Sequence, residues 1–167
     1  MPNHVTHKLT FAEDKAEAIF AACCPDGKFD FNMLVPKPPH MYHGDLGSED
    51  AKDFKCNWMS WQIENWGTKW NAYAQTCGIE DGKAFIKFDT AWSVPYPVMA
   101  AFANRFNVPF EHRYFDESSI FWGVETWGGS DLVSRTKTQK SAEEDRGPLC
   151  VELTGYDPAR DEDDEAA

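Results

Sequence analysis

Long apolar runs are missing from this chain of 167 residues. Residues 1–8 have neither the basic start nor the apolar stretch of a secretory signal peptide. No later segment approaches the ~20 consecutive apolar residues that a membrane-spanning helix requires. We therefore expect a protein of the cytoplasm that makes no contact with a membrane.

Cysteines and histidines lack the spacing of a structural framework. The five cysteines are an odd number without a regular interval, namely Cys23, Cys24, Cys56, Cys77 and Cys150. In a reducing compartment they are expected to be free thiols. His40 and His43 are spaced like zinc ligands, but no cysteine or carboxylate recurs beside them. The sequence therefore predicts no metal and no cofactor.

The common catalytic signatures are also missing. The chain has no glycine-rich dinucleotide fingerprint, no phosphate-binding loop ending in Gly-Lys-Ser/Thr, no Gly-x-Ser-x-Gly and no His-Glu-x-x-His. Each of these motifs places a nucleophile, a phosphate or a metal in a fixed local geometry. Their absence favours a protein that is not an enzyme.

Basic residues are scarce relative to acidic ones. There are 16 Lys and Arg against 28 Asp and Glu, which gives a net charge of −12. This sign repels the phosphates on which non-specific nucleic-acid affinity depends. We expect no direct binding of nucleic acid, and we expect a partner protein with a basic surface.

Aromatic residues are abundant, with seven Trp and twelve Phe. This composition and length predict one folded domain with a substantial core. We assign residues 1–129 to that domain and residues 130–156 to a surface loop with an edge segment at 149–153. Residues 157–167 carry six acidic side chains and one basic one, so they are predicted to be a disordered acidic tail.

Hydrophobic periodicity predicts an α+β fold. Strands are predicted at residues 5–11, 29–35, 70–76, 83–92, 110–115 and 120–127. Helices are predicted at residues 14–23, 52–65 and 98–106, and Gly67 ends the second of them. This order fits a ferredoxin-like split β-α-β antiparallel sheet with helices packed on one face and a helical insertion.

Several short motifs resemble one family. They are Trp-Gly-Thr-Lys-Trp-Asn at 66–71, Phe-Asp-Thr-Ala-Trp-Ser at 88–93 followed by Pro95, the opening Met-Pro-Asn, and Phe-Asp-Phe-Asn at 29–32 followed by Pro36. These motifs are similar to those of the YubB-like phage and plasmid proteins (Api-type phage proteins), and the likeness covers residues 1–129. It implies a ferredoxin-like domain and a setting on phages or conjugative plasmids. It supplies no catalytic residues, and residues 130–167 depart from the family pattern.

The Trp-rich segment and the following strand hold the candidate binding residues. A helix end, a glycine turn and a strand start are predicted to converge there, which is typical of surfaces where partners dock. The candidates are Trp61, Glu64, Asn65, Trp66, Lys69, Trp70, Asn71, Asp89 and Trp92. For Glu64 and Asp89 two interpretations stand: a carboxylate pair for acid-base chemistry, and structural partners of Lys69 and Asn71.

Two functions follow from these observations. The first is a non-enzymatic accessory protein of a phage or plasmid that binds a host protein, with an anti-defence or interference role. The second is a small-ligand or nucleotide-binding protein, or an enzyme, that uses Glu64, Asn65, Lys69 and Asp89. The sequence leaves the oligomeric state open.

Overall fold

The structure is a computed structural model that describes residues 3–44, 54, 56–138 and 143–157, with side chains described outside 132–138 and 143–145. The elements of the described part are β1 His4–Ala12, α1 Ala16–Cys23, α2 Trp58–Trp66, β2 Tyr73–Glu80, β3 Lys83–Ala91, α3 Tyr96–Phe106, β4 Phe110–Asp116, β5 Trp122–Gly128, β6 Asp131–Thr138 and α4 Glu143–Thr154. None of these helices is long and apolar enough to cross a membrane.

The strands form one antiparallel sheet in the order β2-β3-β1-β4-β5-β6. Its first four positions are those of a split β-α-β unit, in which β1 lies between β3 and β4 and the two hairpin-forming strands β2 and β3 lie together. Strands β5 and β6 extend the sheet beyond β4, and α2 is inserted between α1 and β2. The predicted ferredoxin-like α+β fold is confirmed.

Strand β1 is the centre of the core. Its side chains alternate, so that Val5, His7, Leu9 and Phe11 are buried. The main apolar cluster lies between this face of the sheet and the helices α1, α2 and α3. Its largest fully buried members are Trp66, Phe29, Phe31, Phe88 and Phe102.

The prediction of a strand at residues 29–35 is wrong. This segment contains only a short 3₁₀ turn, Phe31–Met33. The Asp30 carboxylate accepts a hydrogen bond from the Asn32 amide, and the Phe31 amide donates to the Asn71 side chain, so local side chains take the place of a strand partner. Phe29 and Phe31 are core residues that enter the core from a loop, whereas Met33 is 40% exposed. Strand β2 takes the corresponding place in the sheet.

The described residues between 130 and 156 form mainly a strand and a helix rather than a surface loop, which corrects the predicted end of the core at residue 129. Strand β6 pairs with β5, and α4 packs on the face of the sheet opposite α1, α2 and α3. Leu149, Cys150 and Leu153 are buried against Phe115 and Trp122. Their spacing is that of a helix, and an edge strand at 149–153 would instead divide them between two faces.

An ion pair between Arg113 of β4 and Glu152 of α4 borders this second cluster, and the Lys8 ammonium lies 3.8 Å from the same carboxylate. The first three helices lie on the predicted face, and α4 is an addition on the other. The predicted acidic tail lies outside the described residues except for Asp157.

Leu153→Ala should lower the free energy of unfolding by about 2 to 5 kcal/mol. This side chain of α4 is fully buried against the sheet, and its loss leaves a cavity. Val151→Ala on the same helix is the matched control. Val151 is 43% exposed, so the change should cost less than about 0.5 kcal/mol. Chemical denaturation measures both; equal effects would show that α4 is not docked on the sheet.

Candidate functional site

Two connecting segments run side by side and form the candidate site. Gly67 ends α2 in the left-handed region (φ 79°), and a Cβ there would lie 2.9 Å from Cδ of Pro97, so only glycine fits. The Thr68 hydroxyl donates to the Ala91 carbonyl at 2.7 Å, and the Ser93 hydroxyl donates to the Gly67 carbonyl. These bonds join the segment after α2 to the segment after β3.

The junction brings Lys69, Trp70 and Trp92 together, and we call these three residues the Trp70/Trp92 surface. The Lys69 ammonium lies 5.3 Å from the Trp70 ring centre and 5.0 Å from the Trp92 ring centre, a cation–π geometry with both rings. The two indoles are 37% and 48% exposed. None of the ion pairs of the described residues involves Lys69. Its charge is therefore available to a partner.

Trp92 has a strained backbone. Its φ is 70°, in the left-handed region that bulky residues rarely adopt and that costs about 1 to 3 kcal/mol. The Trp92 amide donates to the Asn3 carbonyl at 2.9 Å, which helps hold this conformation. Because almost half of the side chain is exposed, little burial offsets the strain.

A negatively charged flank lies beside Trp70. The Tyr73 ring packs edge-on against Trp70, with 6.2 Å between ring centres. The Tyr73 hydroxyl donates to the Thr90 carbonyl at 3.0 Å and accepts from Nδ1 of His4 at 2.7 Å. Burial, followed by the charges of Asp89 and Glu117, raises the pKa of Tyr73 to about 12. Burial also raises the pKa of Asp89 above its ordinary value.

Several of the predicted site residues belong to the packing of the fold. Trp66 is fully buried, and its indole N–H donates to the Val35 carbonyl at 2.9 Å. Trp61 packs edge-on against Trp66, and the Asn65 amide donates to the Trp61 carbonyl. Asn71 is equally structural, since its side chain binds the Phe31 amide and the Asp30 carboxylate.

Neither interpretation of Glu64 and Asp89 is present. Among the described residues, no hydrogen bond or ion pair joins Glu64 to Asp89, or either of them to Lys69 or Asn71. Glu64 is exposed on α2, whereas Asp89 lies on the sheet face away from that helix and bonds Thr6. The structure therefore offers no carboxylate pair for acid-base chemistry here.

Sequence reasoning missed a buried polar network, which we define as Thr90, His7, His112, Glu125 and Tyr96. The first four side chains are fully buried. Nε2 of His7 lies 2.8 Å from the Thr90 hydroxyl, Nδ1 of His7 lies 3.0 Å from Nε2 of His112, and Nδ1 of His112 lies 3.2 Å from Oε2 of Glu125. The Tyr96 hydroxyl donates to Oε1 of Glu125 at 2.9 Å. Strands β3, β1, β4 and β5 each contribute a member.

The direction of these hydrogen bonds follows from the proton inventory. The Thr90 hydroxyl donates to the Ser93 carbonyl, so its oxygen accepts from Nε2–H of His7. Burial, followed by the nearby His112, holds the pKa of His7 well below its ordinary value, so the ring is neutral and its Nδ1 is an acceptor. Nε2–H of His112 must therefore donate to Nδ1 of His7.

One further proton has to lie between Nδ1 of His112 and Oε2 of Glu125. A bare Nδ1 facing a carboxylate would place two acceptors against each other. The proton resides either on the imidazole, which makes an ion pair, or on the carboxyl group, which makes a neutral pair. In both cases the buried pair has no net charge, as its complete burial requires. No group of three or more His, Cys, Asp or Glu in the described part of the chain is arranged to hold a metal.

Protonation of His7 supplies a pH test. Because the pKa of His7 is depressed in the folded protein, the unfolded chain alone binds a proton there as the pH falls below about 6.5. His7 should therefore reduce the free energy of unfolding by up to about 1.4 kcal/mol per pH unit below that value, and should have no effect above it. Denaturant titrations of the wild type and of His7→Gln between about pH 5 and pH 8 measure this slope.

Gln at position 7 keeps a donor and an acceptor but does not titrate, so the His7 part of the slope should disappear. The two proteins share every other histidine, so the difference between them reports on His7 and on the His112 ring bonded to it. If the free energy of unfolding changed with pH in the same way in both proteins, His7 would not be held neutral in the fold.

Comparison with known proteins identifies the family but no activity. The family model described as the ferredoxin-like domain in Api92-like protein matches residues 65–154, more than half of the chain. No curated protein matches the sequence. The crystal structure of a protein api92 from Yersinia pseudotuberculosis is similar to this chain with 14% identity and a TM-score of 0.49. The match covers 67% of this chain and 40% of that protein, so the chain spans less than half of its length.

The family match supports the Api-type part of the sequence resemblance, and the link to phages and plasmids stays a prediction. The chain belongs to the family that carries the ferredoxin-like domain of Api92-like proteins.

Proposed function

We propose that this protein is a non-enzymatic binding module that engages another protein through the Trp70/Trp92 surface. The observation that carries the proposal is the Lys69 ammonium, which has no ion pair among the described residues and lies against two half-exposed indoles, one of them on a strained backbone. Tryptophan offers a large rigid contact area and is enriched at the energetic centres of protein interfaces. Strain at an exposed aromatic residue is typical of a position shaped by binding.

Charge supports a partner with a basic surface. The chain carries −12, and the two carboxylates of Asp89 and Glu117 lie on the flank of the Trp70/Trp92 surface. A partner with basic residues around an apolar centre would complement this flank, and the same charge disfavours nucleic acid. We further propose that the partner is a host protein and that the protein serves a phage or plasmid in the host cytoplasm, with interference or anti-defence as its role. The resemblance of the Trp-Gly-Thr-Lys-Trp-Asn and Phe-Asp-Thr-Ala-Trp-Ser motifs supports that setting.

The alternative of a small-ligand or nucleotide site has weaker support. A pocket of about 260 Å³ lies on the face of the sheet that carries α4, away from the predicted site. Two of the three cations that line it already have partners within the chain: Lys8 pairs with Glu80 and Glu152, and Arg113 pairs with Glu111 and Glu152. Asn65 is bonded to the backbone of α2, so it does not converge with Lys69 and Asp89 on a common cavity.

Lys69→Glu and Trp92→Ala should each weaken partner binding by about 1 to 3 kcal/mol, because both remove a contact at the centre of the proposed interface. The partner is first identified by affinity capture from host lysate, and the affinities are then measured with the purified partner by calorimetry. Circular dichroism and thermal melts of the free proteins should remain those of the wild type.

Ile120→Ala is the matched control, because Ile120 is a 59% exposed apolar residue on the connection between β4 and β5. Its affinity should equal that of the wild type. Folded Lys69→Glu and Trp92→Ala proteins with unaltered affinity would refute the assigned surface. A metabolite that raises the melting temperature of the wild type but not of Asp89→Asn would favour the alternative.

A further inference from the structure

A series of hydrogen bonds leads from the buried polar network to the turn that carries Trp92. It runs from Glu125 through His112 and His7 to the Thr90 hydroxyl, and it ends at the Ser93 carbonyl. The Ser93 hydroxyl, a separate group of the same residue, donates to the Gly67 carbonyl in the segment that leads to Lys69. Trp92 lies inside the turn that Thr90 and Ser93 close.

We propose that the buried polar network positions Trp92, with Thr90 as the positioning residue that transmits the state of His7 to the turn. The importance of this for binding rests on the proposed function, whereas the positional claim can be tested without a partner.

The strain at Trp92 requires several fixed points around it. The Trp92 amide is bonded to Asn3, the Ala91 carbonyl to Thr68, and the Ser93 carbonyl to Thr90. Thr90 differs from the other three bonded positions because it is fully buried and bonded on two sides. Its hydroxyl oxygen accepts a hydrogen bond from Nε2–H of His7, and its carbonyl accepts one from the Tyr73 hydroxyl. A left-handed Trp persists only where the surroundings over-determine the backbone, and Thr90 supplies the innermost of these constraints.

The direction of the network determines where the Thr90 proton points. Nε2–H of His7 donates a hydrogen bond to the Thr90 hydroxyl oxygen. The hydroxyl hydrogen is therefore directed to the Ser93 carbonyl, at 2.7 Å. If His7 presented a bare Nε2, the hydroxyl would turn toward it and the Ser93 carbonyl would lose its donor. His112 selects the His7 tautomer by donating to Nδ1. The tautomer of a buried histidine thereby controls a turn at the surface.

Thr90→Val tests this control because valine has the shape of threonine without the hydroxyl, and Thr90→Ser is the control that retains it. Both proteins are labelled with fluorotryptophan, and the Trp92 resonance is assigned by its loss in Trp92→Phe. We expect the Trp92 resonance of Thr90→Val to shift or broaden, while Trp122, which packs beneath α4, keeps its wild-type resonance. Thr90→Ser should resemble the wild type at both positions. A folded Thr90→Val protein with an unchanged Trp92 resonance would overturn the proposal.

Amide hydrogen exchange of the wild type provides a second test that needs no valine variant to fold. The Trp92 amide, although it belongs to an exposed residue, should exchange as slowly as the amides of β1, because the turn opens only when the network does. Exchange at the rate of a frayed loop would contradict the proposal.

Binding measurements separate this proposal from the proposed function. If both hold, Thr90→Val should bind the identified partner about tenfold more weakly than Thr90→Ser. A shifted Trp92 resonance in Thr90→Val together with normal binding by Trp92→Ala would retain the positional claim and reject the function. Lost binding by Trp92→Ala together with an unshifted resonance in Thr90→Val would do the reverse.

Discussion

The central strand β1 buries a histidine, and the strands around it satisfy that histidine's hydrogen bonds. Antiparallel registers place Thr90 of β3 and His112 of β4 within reach of His7, and β5 adds Glu125 behind His112. A one-residue slip of β1 would turn His7 to the opposite face and leave three buried polar side chains without their partners. The network therefore specifies the register of the sheet, in addition to any stability it contributes.

The ferredoxin-like scaffold explains how a core feature can reach the surface. Because β3 adjoins β1, the end of β3 lies directly beside the network, and the segment that follows it has to meet the end of the inserted helix α2. Gly67 allows the two segments to approach closely, and Thr68 joins them through its hydrogen bond to the Ala91 carbonyl. The result is a strained, exposed Trp92 next to Lys69 and Trp70. Surfaces that bind partners are commonly supported by rigid parts of the fold. Behind the proposed binding surface, that rigid part is the buried polar network.

Much of the fold could be predicted from the sequence, since the strand and helix patterns around β1, β3, α3 and the β4–β5 hairpin are strong and local. The strand prediction at residues 29–35 was wrong because buried residues can alternate in the same way in a strand and in a loop that inserts side chains into the core. In place of a neighbouring strand, the side chain of Asn71, which is distant in the sequence, accepts the hydrogen bond of the Phe31 amide. Helix α4 was missed because only its three apolar residues face the sheet and the segment before them is highly charged.

The candidate site was only partly predictable for a similar reason. Trp66 and Lys69 stand three residues apart in the same motif, yet the left-handed Gly67 between them sends the first into the core and the second to the surface. The inward position of His7 was visible from its place between Val5 and Leu9. Its partners His112 and Glu125 could not be assigned, because pairing between distant strands depends on a register that one sequence does not reveal.

Histidine nitrogen spectra test the central claim most directly, because two-bond proton–nitrogen correlations report which ring nitrogen carries the proton. We predict that His7 remains the neutral Nε2–H tautomer between about pH 5 and pH 8. A His7 ring that titrates near its ordinary pKa, or that carries its proton on Nδ1, would contradict the account.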